Sequence, residues 1–238
     1  MATATLEVRL KTPHEKQAEF IESPAKRKVI KAGRRSGKTT GMAMYAIDRF
    51  LDGKRVLYAA PTQDQTDKFW YEVTIALYEA IEVGLYKINH TRRYIERPGT
   101  QNRIRAKTAW DSNSMRGDFG DEIILDEYQQ MKQEILERIV LPMLLDTDGN
   151  LTIIYTPLDD DEKGTHARDL YDETVEKHLG GNDRWAAFSF TSMDNPHLDK
   201  VALEEIAQDM DELAYRQEIL AEHLKETPGA LWSHAMIA

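Results

Sequence analysis

Cysteine is absent from all 238 residues. That excludes disulfides and thiolate zinc sites and makes a cytoplasmic location the default. No apolar run is long enough to span a membrane, and the N-terminus, "MATATLEVRLKTPHEKQ", lacks the apolar stretch of a secretory signal. The seven histidines are scattered without HExxH-type spacing, so no histidine metal site is expected. Positive charge is in deficit: 31 Lys and Arg against 41 Asp and Glu leave a net charge of −10. This argues against a domain that grips nucleic acid with its whole surface.

The cations that are present cluster. Lys26, Arg27, Lys28, Lys31, Arg34, Arg35 and Lys38 occupy one stretch with no acid among them. Arg92, Arg93, Arg97, Arg103, Arg105 and Lys107 form a second, against Glu96 alone. Acids gather in the C-terminal third, from "LDDDE" onward. Any contact with a polyanion must therefore be local.

Apolar spacing alternates between two periods along the chain. "RKVIKA", "KRVLYAAP", "EIILDEY", "LTIIYTP" and "WAAFSF" read as strands. "HEKQAEFIES", "GKTTGMAMYAIDRFLDG", "QDQTDKFWYEVTIALYEAIE", "KQEILERIVLPMLLD" and "ARDLYDETVEKHL" read as helices, with Pro142 kinking or breaking the last turns of the fourth. "RRYIE" and "RIRAKTA" flank a Pro-Gly turn as a two-strand hairpin, and Lys200 to His223 read as a helical, acidic tail. Strands alternating with helices predict βαβ units and an α/β fold with a mostly parallel sheet. The apolar end carrying Leu231, Trp232, Met236 and Ile237 either packs back on the domain or leads into further chain.

The chemistry concentrates at "AGRRSGKT", which fits Ala or Gly, four residues, then Gly-Lys-Thr, between a strand and a helix. Arg34, Arg35 and Lys38 would repel one another on so tight a turn unless an anion sat among them. Glycines let backbone amides face such an anion, and the helix N-terminus adds partial positive charge. A triphosphate suits the site: Gly33, Arg34, Arg35, Ser36, Gly37, Lys38, Thr39 and Thr40 form the cradle. Lys38 reaches the β and γ phosphates, and the Thr39 hydroxyl can ligate Mg²⁺. "IILDE" supplies the rest of a hydrolytic site. Asp126, at the end of an apolar strand, holds the metal, and Glu127 orients and deprotonates the attacking water.

With these motifs in place the sequence resembles the ATPase domain of tailed-phage large terminases, motors that package DNA into procapsids. Further segments carry the likeness in order: "PHEKQ", "DSNSMRGDFGDEIILDE", "IIYTP", "SFTSMDNPHL" and "AYRQEILAEHL". The resemblance implies a three-layer P-loop NTPase of the additional-strand, catalytic-glutamate type, with a β-hairpin and C-terminal helices. It implies that Gln17 reads the adenine edge and that Arg116 is a finger entering the neighbouring subunit's site. Arg34 is the competing finger, acting in cis. Arg35 pairs with a carboxylate or contacts phosphate from the flank, and Thr156 senses the γ-phosphate or the water. ATP and Mg²⁺ follow as cofactors, with double-stranded DNA, a portal protein and a small terminase subunit as partners. A homo-oligomeric ring on the procapsid follows too (a monomer as an isolated domain), in the host cytoplasm, with no membrane involved.

Three departures stand out: Glu122 at the start of an apolar strand, Tyr128 where a small residue is usual, and the acidic "LDDDEKG" after Thr156-Pro157. Tyr128 is expected to alter the wall beside Glu127, and the acids to form a solvated loop. Large terminases also carry a nuclease domain, which needs on the order of 150 residues. Residues 1–228 are therefore expected to be the ATPase domain with a lid-like helical segment, and 229–238 the start of a linker, without nuclease activity. The alternative reading is a monomeric helicase-like or DNA-repair ATPase. The hairpin arginines are candidates for non-specific phosphate contacts.

Overall fold

The segments "VLYAA" and "EIILD" are buried at every position, as strands must be when a parallel sheet is covered on both faces. The structure is a computed structural model that describes residues 7–109, 115, 120–158 and 164–224. Elements follow in the order α1 (Glu15–Glu22), β1 (Arg27–Ala32), α2 (Lys38–Leu51), β2 (Val56–Ala60), α3 (Gln63–Ala76) and α4 (Tyr78–Glu82). Next come β3 (Lys87–Asn89), β4 (Tyr94–Glu96), β5 (Arg103–Thr108), β6 (Glu122–Asp126), α5 (Gln133–Ile135) and α6 (Leu141–Leu145). The chain continues through β7 (Asn150–Tyr155), α7 (Thr165–Leu179), β8 (Trp185–Phe190), α8 (Lys200–Asp209) and α9 (Glu212–Glu218).

The strands form one sheet in the order β3-β4-β5-β2-β6-β7-β1-β8. From β5 to β8 all pairings are parallel, while β3 and β4 are antiparallel at the edge. Successive side chains point to opposite faces, so each strand feeds two cores. Ile30, Tyr58, Ile124 and Ile154 pack with Phe20, Met42, Phe50 and Phe69 from α1, α2 and α3. Val29, Leu57, Ile123, Leu125 and Ile153 pack with Ile135, Ile139, Leu144 and Ala167 on the other face. Burying each such large side chain contributes about 1.5–3 kcal/mol. The result is the expected three layers.

The expected hairpin forms, Tyr94 opposite Arg105 through Glu96 opposite Arg103, and it is continuous with the main sheet. "RIRAKTA" pairs in parallel with β2, Val56 opposite Ile104 through Ala60 opposite Thr108, and a further short strand, β3, precedes "RRYIE". The helix over 63–82 divides at Leu77, which turns into the core and is fully buried. Pro142 distorts its helix, as expected, without ending it. It cannot donate to the preceding turn, and the helix loosens into a π turn over Leu136–Val140 before continuing to Leu145. The acidic tail is two helices, separated at Met210 and Asp211, and the chain from Ile219 to Leu224 is not helical.

Glu122 has a structural explanation. It is 1% exposed, and its two oxygens accept from the Tyr45 hydroxyl at 2.7 Å and from Asn150 Nδ2 at 2.6 Å. Lys28 lies on the same side, donating to the Phe20 carbonyl at 2.9 Å with its ammonium 4.4 Å from the centre of the Tyr45 ring. Burial raises the Glu122 carboxyl above its ordinary value and lowers Lys28 from 10.5 to about 8. These groups sit at the N-terminal ends of their strands, opposite the phosphate turn.

Because Lys28 holds its proton less tightly when folded, the unfolded chain carries one more proton between about pH 8 and 10.5. Stability should therefore rise with pH across that window. Urea midpoints measured near about pH 7 and about pH 10 should rise more in the wild type than in Lys28→Met. Equal rises would refute the account of Lys28 as a buried ammonium.

Candidate active site

Between β1 and α2 the chain makes its phosphate turn. Gly37 caps α2 from the left-handed region, φ 90°, with no side chain to occupy the first helical amides, which leaves them for an anion. Arg35 is also left-handed, at φ 59°. Side chains from elsewhere take up the turn's carbonyls. Ser192 donates to Arg34, Asn195 Nδ2 to Arg35 at 2.7 Å, and Gln17 Nε2 to Gly37 at 2.8 Å. His14 Nε2 lies 3.0 Å from the Ser36 carbonyl, and the buried Ser36 hydroxyl donates to Gly33 at 2.6 Å. Backbone bonds complete the clamp, from Gly33 N–H to Phe190 O at 3.0 Å and Arg34 N–H to Glu218 O at 2.7 Å. Gly33 has no space for a side chain: a Cβ would lie 2.5 Å from Ile219 O and 2.9 Å from Ser192 N.

Three strand ends converge on the start of α2. Lys38, 8% exposed, donates to Thr156 Oγ1 at 2.5 Å and lies 3.5 Å from Glu127 Oε1. Thr39 Oγ1 donates to Asp126 Oδ2 at 3.3 Å, and that oxygen also accepts from Tyr58 at 2.7 Å. Asp126 Oδ1 accepts from the Glu127 N–H at 2.9 Å. Burial and the neighbouring Glu127 charge push the Asp126 carboxyl above its ordinary value, while Tyr58, Lys38 and the Glu127 amide pull it back. Tyr58, raised by its own burial and by Asp126, stays protonated and can only donate here. Glu127 is left-handed at φ 54°, and its Oε2 accepts from Gln129 Nε2 at 2.7 Å. A cavity of about 580 Å³ opens onto the cluster, lined by Lys38, Thr39, Thr40, Glu127, Gln129 and Thr156 among others. The Thr39 hydroxyl and the Asp126 carboxylate are adjacent hard oxygen donors, which suits Mg²⁺, an ion that uses one or two protein carboxylates and completes its shell with water and phosphate.

The structure thus brings together Lys38, Thr39, Asp126, Glu127 and Thr156. Arg34 and Arg35 line the same cavity. Arg34 is ion-paired with Glu218. Gln17 is 4% exposed, with its amide committed to the backbone: Nε2 to Gly37, and Oε1 accepting the His14 N–H at 3.0 Å. It supports the turn from beneath. Tyr128 does not wall the site; it is buried in the second core against His166, ring centres 4.8 Å apart. Arg116, the acidic residues 159–162 and residues 229–238 lie outside the described residues.

Among the hairpin arginines, Arg93 pairs with Asp67 at 2.7 Å and Arg103 covers the Tyr94 ring. Sequence reading missed Tyr58, Gln129, Ser192, Asn195 and Glu218 as parts of the site. The "SFTSMDNPHL" and "AYRQEILAEHL" segments signalled the last three without revealing that they clamp the turn.

A parallel sheet with a phosphate turn after β1, an acidic end to β6 and an extra strand between them defines a P-loop NTPase fold. Residues 29–238 match the family described as "Terminase large subunit, T4likevirus-type, N-terminal", and the chain belongs to that family. The large terminase subunit of Thermus virus P23-45 is 29% identical over 163 residues, 61% of this chain and 34% of that relative. The match thus spans about a third of the length of the curated relatives. Among solved structures, the ATPase domain of the Thermus phage P74-26 large terminase superposes with a TM-score of 0.72 at 22% identity, covering 90% of this chain and 94% of that one. The HK97 bacteriophage large terminase gives 0.72 at 14% identity, covering 90% and 51%. At these identities the structural likeness establishes the fold.

Two glycines make a controlled test of the clamp. Gly33→Ala should lower the melting temperature and abolish binding of a fluorescent ATP analogue, because the backbone of Ile219 and Ser192 must retreat. Gly53→Ala, left-handed at φ +83° with nothing within 4 Å among the described residues, should cost only the strain of about 1–2 kcal/mol and keep binding. Normal binding by Gly33→Ala would show that the close approach is dispensable.

Proposed function

We propose that the chain is the ATP-hydrolysing domain of a motor that drives double-stranded DNA into a viral procapsid. The observation that carries this reading is the convergence of Lys38, Thr156, Glu127, Asp126 and Thr39 at the mouth of α2, in a chain of the terminase large-subunit family. Lys38 offsets charge on the β and γ phosphates, and Thr156 marks the position of the γ-phosphate. Glu127 accepts a proton from the attacking water as its oxygen bonds to the γ-phosphorus and the bond to the bridging oxygen breaks, leaving ADP and phosphate. Mg²⁺, held by the Thr39 hydroxyl and Asp126, would supply neutralising charge on the phosphate oxygens.

Gln17 contributes through the shape of the turn, both ends of its amide being held by backbone groups. Arg116 acts in trans, as a finger from the neighbouring subunit of a ring. Arg34 is the cis alternative, and a γ-phosphate would compete with Glu218 for its guanidinium. Portal protein and small terminase subunit are the partners of the assembled motor, docked on the procapsid in the host cytoplasm. The arginines at the β3–β5 edge are the candidate DNA contact, with affinity that should fall steeply as salt rises.

Glu127→Ala should bind ATP with near-normal affinity while its steady-state hydrolysis drops about 10²–10⁴-fold; retained turnover would remove Glu127 from the mechanism. Turnover that climbs more than linearly with protein concentration and disappears in Arg116→Ala identifies the trans arginine. Linear dependence with Arg116→Ala unaffected assigns the role to Arg34.

A further inference from the structure

Glu127 as the water-activating base raises the question of what aims it. We propose that Gln129 is a positioning residue that fixes the Glu127 carboxylate for attack, an inference that rests on the function proposed above. Glu127 leaves the end of β6 in the left-handed region, φ 54° and ψ 42°, a conformation that costs a non-glycine residue about 1–2 kcal/mol. Its long side chain would otherwise sample several rotamers. Lys38 lies 3.5 Å from Oε1, an ion-pair distance that attracts without fixing direction. Gln129 Nε2 donates to Oε2 at 2.7 Å, a charge-assisted bond that does fix it. With Oε2 held, Oε1 stays on the Lys38 side of the cavity.

Gln129 itself is tightly held. It is 5% exposed and sits in a short 3₁₀ turn, Tyr128–Gln130, closed by the Gln130 N–H to the Glu127 carbonyl at 2.9 Å. Gly164, at the start of α7, lies against it, where a Cβ would come 3.4 Å from Gln129 Cβ. Because an ionised carboxylate only accepts, the amide nitrogen must face Glu127 and the group cannot flip. That orientation strands the Gln129 carbonyl oxygen, buried with no hydrogen-bond partner among the described residues, at a cost of about 1–3 kcal/mol. A glutamine kept only to fill space would be better replaced by an apolar side chain of equal size. The stranded oxygen is the cost of directing the other end at Glu127.

During the reaction Gln129 takes no proton. Water oxygen bonds to the γ-phosphorus, the electron pair of the breaking bond goes to ADP, and the proton goes to Glu127 Oε1. Loss of alignment at a reacting group costs about 10²-fold in rate.

The test is Gln129→Met, which keeps the volume and removes the amide. Single-turnover hydrolysis of saturating Mg-ATP should fall about 10–100-fold. Affinity for a fluorescent ATP analogue should stay within about threefold, and the melting temperature should hold or rise as the stranded oxygen is removed. The same substitution in a Glu127→Ala background should have no further effect on rate, the non-additivity expected of two groups acting as a unit. Unchanged hydrolysis in Gln129→Met, or a joint fall of rate, affinity and melting temperature, would overturn the proposal. The two readings fail differently. An active Glu127→Ala removes the base assignment and this proposal with it. An inactive Glu127→Ala beside a fully active Gln129→Met removes only the role of Gln129.

Discussion

A single buried ammonium organises the site. Lys38 is 8% exposed, and a cation so placed is tolerable only with partners within hydrogen-bonding and Coulomb reach. Its partners come from two other strand ends, Thr156 after β7 and Glu127 after β6. Both reach it because the sheet runs β6-β7-β1 with all three strands parallel, so that their C-terminal ends emerge side by side. Were β7 elsewhere in the order, Thr156 could not lie beside Lys38. The topology and the chemistry are therefore one constraint, met at the edge where parallel strands end and helices begin.

The two ends of the strands separate two kinds of buried charge. At the N-terminal ends, Glu122, Tyr45, Asn150 and Lys28 satisfy one another and close the bottom of the sheet. At the C-terminal ends, Asp126 receives three donors, from Thr39, Tyr58 and the Glu127 amide, yet stays beside the second carboxylate that raises it. The first arrangement has its opposite charges and hydroxyl in balance. The second keeps excess negative charge next to an uncapped helix start, which fits a place built to receive a metal and phosphates. Tyr58 is held for its part by stacking on Phe69 at 3.7 Å.

How much of this was legible follows from the range of the interactions. β2, β6 and β7 were readable because strands buried on both faces are near-continuous apolar runs, and β1 and β8 from shorter apolar runs. Lys38, Thr39, Asp126 and Glu127 were readable because the phosphate turn and the acidic strand end impose residue types at fixed local spacing. "RRYIE" and "RIRAKTA" were readable as a hairpin, but the parallel pairing of the second strand with β2 is set by the sheet order and leaves no local signal. Tyr128 misled because adjacency to Glu127 says nothing of direction. The left-handed turn at Glu127 sends the next residue into the opposite core. Gln17 was identifiable as a site residue, but that its amide is committed to two backbone groups depends on where α1 docks. Tyr58 and Gln129 belong to no pattern, since each matters through one hydrogen bond that only the fold creates.

The C-terminal helices complete the site from a distance in sequence. Glu218 accepts the Arg34 N–H on its carbonyl, and its carboxylate is ion-paired with the Arg34 guanidinium. One residue earlier, Gln217 donates to the Pro157 carbonyl at 2.9 Å, directly after Thr156. One residue later, the Ile219 carbonyl accepts from Ser192 and presses against Gly33. Three consecutive residues thus touch the phosphate turn, the end of β7 and the turn after β8. The contacts at the Glu218 and Ile219 carbonyls join main-chain atoms on both sides, so no rotamer change can release them. A shift of the end of α9 therefore alters the cradle, while the Gln217 side chain carries the link to the Thr156 strand end.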